Sequence, residues 1–247
     1  MTAACIIDLY PGDKQVDWKV YCAAGPPWHG AIFKASQALR YSYLEWLTHQ
    51  RSLFIAAAGD RYGLDLFDGM YHYLDLGQDG TKQADFFMHN VEASGGEQKG
   101  TLPAMVDVER GGQLPTDCTL ARVEHVTRGF AERYKALTGR EATLYGGELL
   151  RSVGVKDRLG CSRSAVALYG PKLQGRGIDT NTTEKFLHAT GTDLAHTLLW
   201  QYGMADDPSE PPAGYPSSAQ VPGAPTRVDV SAVLQSDGVS ALRALLS

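Results

Sequence analysis

Eight short apolar runs, spaced along the chain with helix-patterned sequence between several of them, constrain the fold more than any other feature. They are "AACIIDL" (3–9), "GAIFKAS" (30–36), "LFDGMYHYL" (66–74), "LPAMVDV" (102–108), "ATLYG" (142–146), "SAVALYG" (164–170), "HTLLWQYG" (196–203) and "TRVDVSAV" (226–233). Runs of this length, rich in branched and aromatic residues, read as buried strands. The stretches 41–63, 80–94 and 117–139 read as amphipathic helices, and "VSALRALL" (239–246) as a closing one. The third opens at Thr116 or Asp117 as N-cap and stops at Gly139. Strands alternating with helices predict a mostly parallel sheet. Eight of them in 247 residues predict a closed α/β barrel, irregular because the later helices are short. In such barrels the C-terminal strand ends carry the chemistry.

The sharpest shift in composition is 205–227, which holds six of the twelve prolines. Only one strand and one helix follow it, so it reads as a long loop over the strand ends, in the manner of a lid. The expectation is a single domain over 1–247, with that loop inside it and no separate binding module at either end.

Net charge is −5 and the isoelectric point is near 5.8, which gives no basic surface for nucleic acid. No run approaches the roughly 18 apolar residues of a membrane span. The first residues lack the basic and apolar regions of a secretory signal, which predicts synthesis in the cytoplasm. Cys5, Cys22, Cys118 and Cys161 are scattered without C-x-x-C spacing and read as reduced thiols rather than metal ligands.

The fourth run ends in "VDVER", with Asp107 and Glu109 two residues apart. In an extended chain such residues share a face, roughly 6.5–7 Å apart at Cα. Two carboxylates that close are costly unless one pKa rises or donors pair with them, so the pair asks for a chemical reason. Asp8 ends the first strand and Asp229 lies in the last. First and last strands are neighbours in a barrel, so both acids can reach one mouth. Four acids there suit glycoside hydrolysis, which needs a proton donor and a second group to stabilise positive charge. Glu109 is the candidate donor, its pKa lifted by its neighbours. Taken singly, Asp8 or Asp229 is as readily a cap or loop anchor.

Tyr71 and Tyr73 share one face of "GMYHYL", and Tyr71 is a candidate substrate contact; His72, on the other face, reads as a core histidine. Trp200 and Tyr202 share a face of "LLWQYG", with Gln201 opposite. They are candidate platforms for sugar rings, and core packing suits Trp200 equally. Lys34, a charge in an apolar run, is expected to pair with one of the acids.

Taken in order, "IIDLY", "IFKAS", "GMYHYL", "MVDVER", "TLYGG", "LLWQYG" and "RVDVSAV" resemble the strand motifs of glycoside hydrolase family 25, the lysozyme-type muramidases. The resemblance runs from Asp8 to about Val233 and rests on the ordered set rather than on any single motif. It implies an irregular (β/α)-barrel of about eight strands. It also implies cleavage of the β-1,4 bond between N-acetylmuramic acid and N-acetylglucosamine in peptidoglycan, with no cofactor or metal. By that resemblance Glu109 is the general acid and Asp107 the second carboxylate. Asp8 and Asp229 are the first- and last-strand aspartates, and Tyr71 and Trp200 fall on the family's aromatic positions. Tyr145, in "TLYGG", joins Tyr202 and Lys34 as a further substrate-binding candidate. The family's W-I-A-x-Y strand is here "AVALYGPKL", so a sugar-contacting wall around Leu168 and Tyr169 is altered.

Two routes follow protonation by Glu109: attack by the substrate's own 2-acetamido group, oriented by Asp107, or direct attack of water with inversion. The first is preferred for acids two residues apart. Competing classes are a non-catalytic wall-binding protein on the same scaffold and a metal-dependent hydrolase using Asp8, Asp107, Glu109 and His72. The second lacks H-x-H or H-E-x-x-H spacing. Family 18 chitinases share the D-x-E ending, but Ala104 and Met105 stand where their run of acids continues upstream. The expected partner is the peptidoglycan glycan strand, cut by a monomer. The expected setting is the periplasm or cell exterior, reached through a phage holin or a secretion apparatus. The secreted case would add an immunity protein.

Overall fold

The computed structural model describes residues 4–110, 118–167, 187–203, 215–234 and 237–246. In chain order the elements are β1 (Cys5–Leu9), α1 (Trp18–Ala24), β2 (Trp28–Gln37), β3 (Tyr41–Ser42), α2 (Leu44–Ala58), β4 (Phe67–Tyr73), α3 (Gly80–Ala93) and β5 (Met105–Val108). There follow α4 (Leu120–Thr138), β6 (Thr143–Gly146), α5 (Glu148–Val153), β7 (Arg163–Ala167), β8 (Thr197–Gly203), β9 (Asp229–Val233) and α6 (Gly238–Ala244). Neighbours run β1–β2–β4–β5–β6–β7–β8–β9, and β9 pairs back onto β1, which closes an eight-stranded barrel. Seven strands are parallel; β9 is antiparallel to both β8 and β1.

Alternation along each strand sorts the side chains to two sides of this wall. Ile6, Ile32, Phe67, Met105, Leu199 and Val233 fill the lumen, joined by Leu242 of α6. Ile7, Phe33, Met70, Val106, Leu144 and Val230 face the helices in a larger outer core. Full burial of each such side chain contributes about 1.5–3 kcal/mol. The lumen below the mouth is therefore a packed plug rather than a pore.

The helices fit this wall locally. In α4, buried Val123, Val126, Thr127, Phe130, Ala131 and Tyr134 repeat at helical spacing. Gly139, at φ 76°, closes the helix with its N–H on the Lys135 carbonyl. Helix α3 opens at Gly80, where a Cβ would lie 1.9 Å from the Val126 carbonyl oxygen, so only glycine allows the two helices to meet there.

Several expectations need correction. The helix expected over 41–63 is shorter, because Tyr41 and Ser42 instead pair with Gln37 and Ser36 at the free end of β2. The N-cap of α4 is Thr119, whose hydroxyl accepts from the Arg122 N–H; Thr116 and Asp117 lie outside the described residues. Helix α1 was not anticipated; Asp17 caps it by accepting from the Lys19 and Val20 N–H groups. Leu168, Tyr169 and residues 205–214 also lie outside the described residues. The rest of the Pro-rich loop is fastened to the outer wall. Tyr202 donates its hydroxyl to the Pro216 carbonyl at 2.7 Å, and the Asp17 N–H donates to the Gly223 carbonyl at 2.9 Å.

Candidate active site

The same alternation that plugs the lower lumen puts polar side chains at its mouth. Asp8 ends β1, and its register partner across the antiparallel pair is Asp229, the first residue of β9. Because β9 runs backwards, its start lies level with the C-terminal ends of the parallel strands. Asp107, near the end of β5, is flanked by Tyr73 of β4 and Tyr145 of β6. Glu109 follows just beyond β5. Lys34 of β2 lies beside Tyr71 of β4, and Gln201 of β8 beside Ser231 of β9. The four acids named from the sequence thus meet at one mouth, with Lys34, Tyr71 and Tyr145 among them.

Like charges facing each other across a strand pair oppose folding, and partial burial deepens the cost. Burial, followed by Asp229, Asp13 and Glu109, pushes the Asp8 carboxyl well above the usual carboxylate range. Burial, then Glu109 and Asp8, does the same to Asp107. Glu109 is raised by burial and by Asp229, with Lys34 and hydrogen bonding to Tyr145 acting against the shift. Among the described residues Lys34 opposes these shifts without cancelling them, so Asp8, Asp107 and Glu109 hold their protons to higher pH than free carboxyls do. Asp107 is 6 % exposed, and its Oδ1 has no hydrogen-bond partner among the described residues.

Lys34 does not form the expected ion pair. Its Nζ lies 4.7 Å from the ring centre of Tyr73, 5.7 Å from Tyr71 and 5.9 Å from Tyr43. The aromatic faces hold the ammonium while it acts on Asp107, Asp8 and Glu109 at longer range. Burial lowers its pKa, and the three acids oppose that shift.

Trp200 and Tyr202 are not at the mouth. They are 3 % and 4 % exposed and belong to the outer core, Trp200 level with Ala232 and Cys5 on the outer faces of β9 and β1. Tyr202 packs against Tyr215 with the rings tilted at 54° and 5.8 Å between their centres. Core packing therefore accounts for both, and the lumen-facing member of "WQY" is Gln201, which accepts a hydrogen bond from the Tyr145 hydroxyl. Sequence reasoning missed Gln201, Tyr73 and the rim acid Asp13 as site residues. The first two were reachable by following period-2 alternation from Asp229 and Tyr71. His72 is the satisfied core residue expected, bonded to Ser36 and Gln83 and stacked at 5.3 Å on Phe130. Burial lowers its pKa to about 4, which keeps it neutral.

The family model for glycosyl hydrolases family 25 matches residues 7–150 of this sequence. The chain belongs to glycoside hydrolase family 25. The matched region carries Asp8, Lys34, Tyr71, Asp107, Glu109 and Tyr145; Gln201 and Asp229 lie beyond it. An N,O-diacetylmuramidase of Chalaropsis sp is 39% identical over 83 residues, spanning 31% of this chain and 37% of that protein's length. Among solved structures, the bacterial lysozyme of Streptomyces coelicolor has a TM-score of 0.72 at 20% identity, over 100% of this chain and 98% of its own. The muramidase of Trichobolus zukalii has a TM-score of 0.70 at 21% identity, over 99% of each chain. The catalytic domain of endolysin ply40 from bacteriophage P40 of Listeria monocytogenes has a TM-score of 0.61 at 16% identity, over 98% of each. At these identities the likeness is one of fold, and it matches the family-25 barrel described above.

Proposed function

We propose that this family-25 chain is an N-acetylmuramidase, hydrolysing the β-1,4 bond between N-acetylmuramic acid and N-acetylglucosamine in peptidoglycan. The observation that carries the reading is the orphaned acceptor on Asp107, two residues from Glu109 at an acid-lined mouth. A buried acceptor without a donor costs about 1–3 kcal/mol, and the amide N–H of a sugar's 2-acetamido group is a donor of the right kind to satisfy it.

The chemistry follows from that docking. Glu109 gives its proton to the glycosidic oxygen as the bond from C1 breaks. The acetamido carbonyl oxygen closes on C1 to form an oxazolinium ion, whose N–H is held by Asp107. Glu109, now a carboxylate, takes a proton from the water that reopens the ring at C1. Asp8 and Asp229 add negative potential beneath the developing positive charge. Their proximity also favours the protonated Glu109 with which the cycle begins.

Replacing Glu109 with Gln keeps the shape of the side chain and removes its proton. Clearing of a purified peptidoglycan suspension is expected to slow by about 10²–10⁴-fold, with the circular dichroism of the protein unaltered. An unchanged clearing rate would exclude Glu109 as the acid.

A further inference from the structure

Resting on the reading of this chain as a muramidase, we propose that Tyr41 and Arg40, on the hairpin between β2 and β3, form a distal subsite that carries a further sugar ring of the peptidoglycan strand. Strand register places that hairpin at the mouth. Tyr41 is level with Gln37 of β2, Gln37 with Tyr73 of β4, and Tyr73 with Asp107 of β5. Residues level with one another on paired strands point to the same side, so Tyr41 faces as Asp107 does. A bulge between Lys34 and Ser36 brings Gln37 into this phase; unbroken alternation from Lys34 would have turned it outward. The opposite side is marked independently. Ser36 bonds His72 there, and Ser42 donates its hydroxyl to Asn90 of α3. Three strand spacings, roughly 14 Å along the wall, separate Tyr41 from Asp107. That is beyond the sugar whose acetamido group docks on Asp107.

The hairpin is held in place. Ala38 stands at φ 52°, a left-handed conformation that a residue with a Cβ seldom adopts. Its N–H donates to the Tyr73 carbonyl at 3.0 Å, and the Leu39 N–H donates to Gln78 Oε1 at 2.8 Å. Strain of this kind persists where the surroundings over-determine it, and it gathers at ligand and active sites. Tyr41 is 42 % exposed. The Arg40 guanidinium lies over its ring, with Cζ 5.1 Å from the ring centre, and steadies it. The exposed part of the ring is a platform for the apolar C–H face of a sugar, and the Arg40 N–H groups are donors for the sugar hydroxyls.

The test compares kcat and KM on glycan strands freed of peptide and sorted by length into tetrasaccharides and octasaccharides. A tetrasaccharide centred on the cleaved bond stops short of Tyr41, and an octasaccharide reaches it. The parent is expected to show a KM about five- to tenfold lower for the longer strand. Tyr41→Ala is expected to lose that advantage with kcat unaltered, and Tyr41→Phe, which keeps the ring, to retain it. A parent without the advantage, or a Tyr41→Ala variant that keeps it, would overturn the inference. Loss of the advantage in Tyr41→Phe as well would assign it to the hydroxyl and contradict the stacking role. A parent that cuts neither strand sinks the muramidase reading itself, whereas one that cuts both without preference sinks only the subsite.

Discussion

Asp68 and Asp107 are buried aspartates on adjacent strands, and the barrel wall separates them. Asp68, on the outer face of β4, has both oxygens engaged. Arg51 Nε donates to Oδ2 at 2.7 Å and the Tyr62 hydroxyl to Oδ1 at 2.6 Å. Arg51 is itself held by the Ser94 and Gly96 carbonyls and by the Ser94 and Thr101 hydroxyls. Asp107, on the inner face of β5, leaves Oδ1 unmatched and has two acids for company. The fold can satisfy a buried carboxylate completely where the carboxylate serves the fold. Where it does not, an acceptor is left without a donor, the one that the proposed mechanism has the substrate supply.

That contrast can be broken from either side, and the largest effect lies on the outer face. Arg51→Ala strands Asp68 without its cation, and urea unfolding is expected to show a loss of about 3–5 kcal/mol. The specific activity of the molecules that remain folded should not change. A loss below about 1 kcal/mol would mean that the outer pair matters no more to stability than an exposed one.

A smaller effect sharpens the placement of Trp200. With the indole in the outer core, Trp200→Phe is expected to cost roughly 1–3 kcal/mol of stability and to leave KM for peptidoglycan fragments unchanged. A raised KM at undiminished stability would return Trp200 to the sugar-binding wall.

The residues that sequence exposed best were those on strands with one unambiguous face. Asp107 and Glu109 declare a shared direction by their spacing alone, and Asp8 and Asp229 follow from barrel closure. The two faces of β8 could not be told apart so easily. Trp200 and Tyr202 suit a sugar platform as well as they suit a core, and only the register through Ala232 to Cys5 decides between them. Lys34 was visible as a misplaced charge. Its aromatic seat was not, because Tyr43, Tyr71 and Tyr73 come from separate segments that only packing unites. The reversal of β9 was hidden for a similar reason, since strand direction depends on the path of the preceding loop. Helices α1 and α5, at seven and six residues, are too short to show a periodic stripe.

The central claim is that Asp107 costs the fold stability and is kept for the reaction; unfolding free energy against pH, for the wild type and Asp107→Asn, tests it. A carboxyl whose pKa is raised in the folded state supports the fold only while protonated, and that support fades as pH rises past its unfolded value near 4. The account predicts that Asp107→Asn matches the wild type near pH 4 and becomes the more stable protein, by about 1 kcal/mol or more, as pH approaches 7. Its peptidoglycan clearing should be almost abolished. A variant that is less stable than the wild type at neutral pH, or one that still clears peptidoglycan at the wild-type rate, would contradict it.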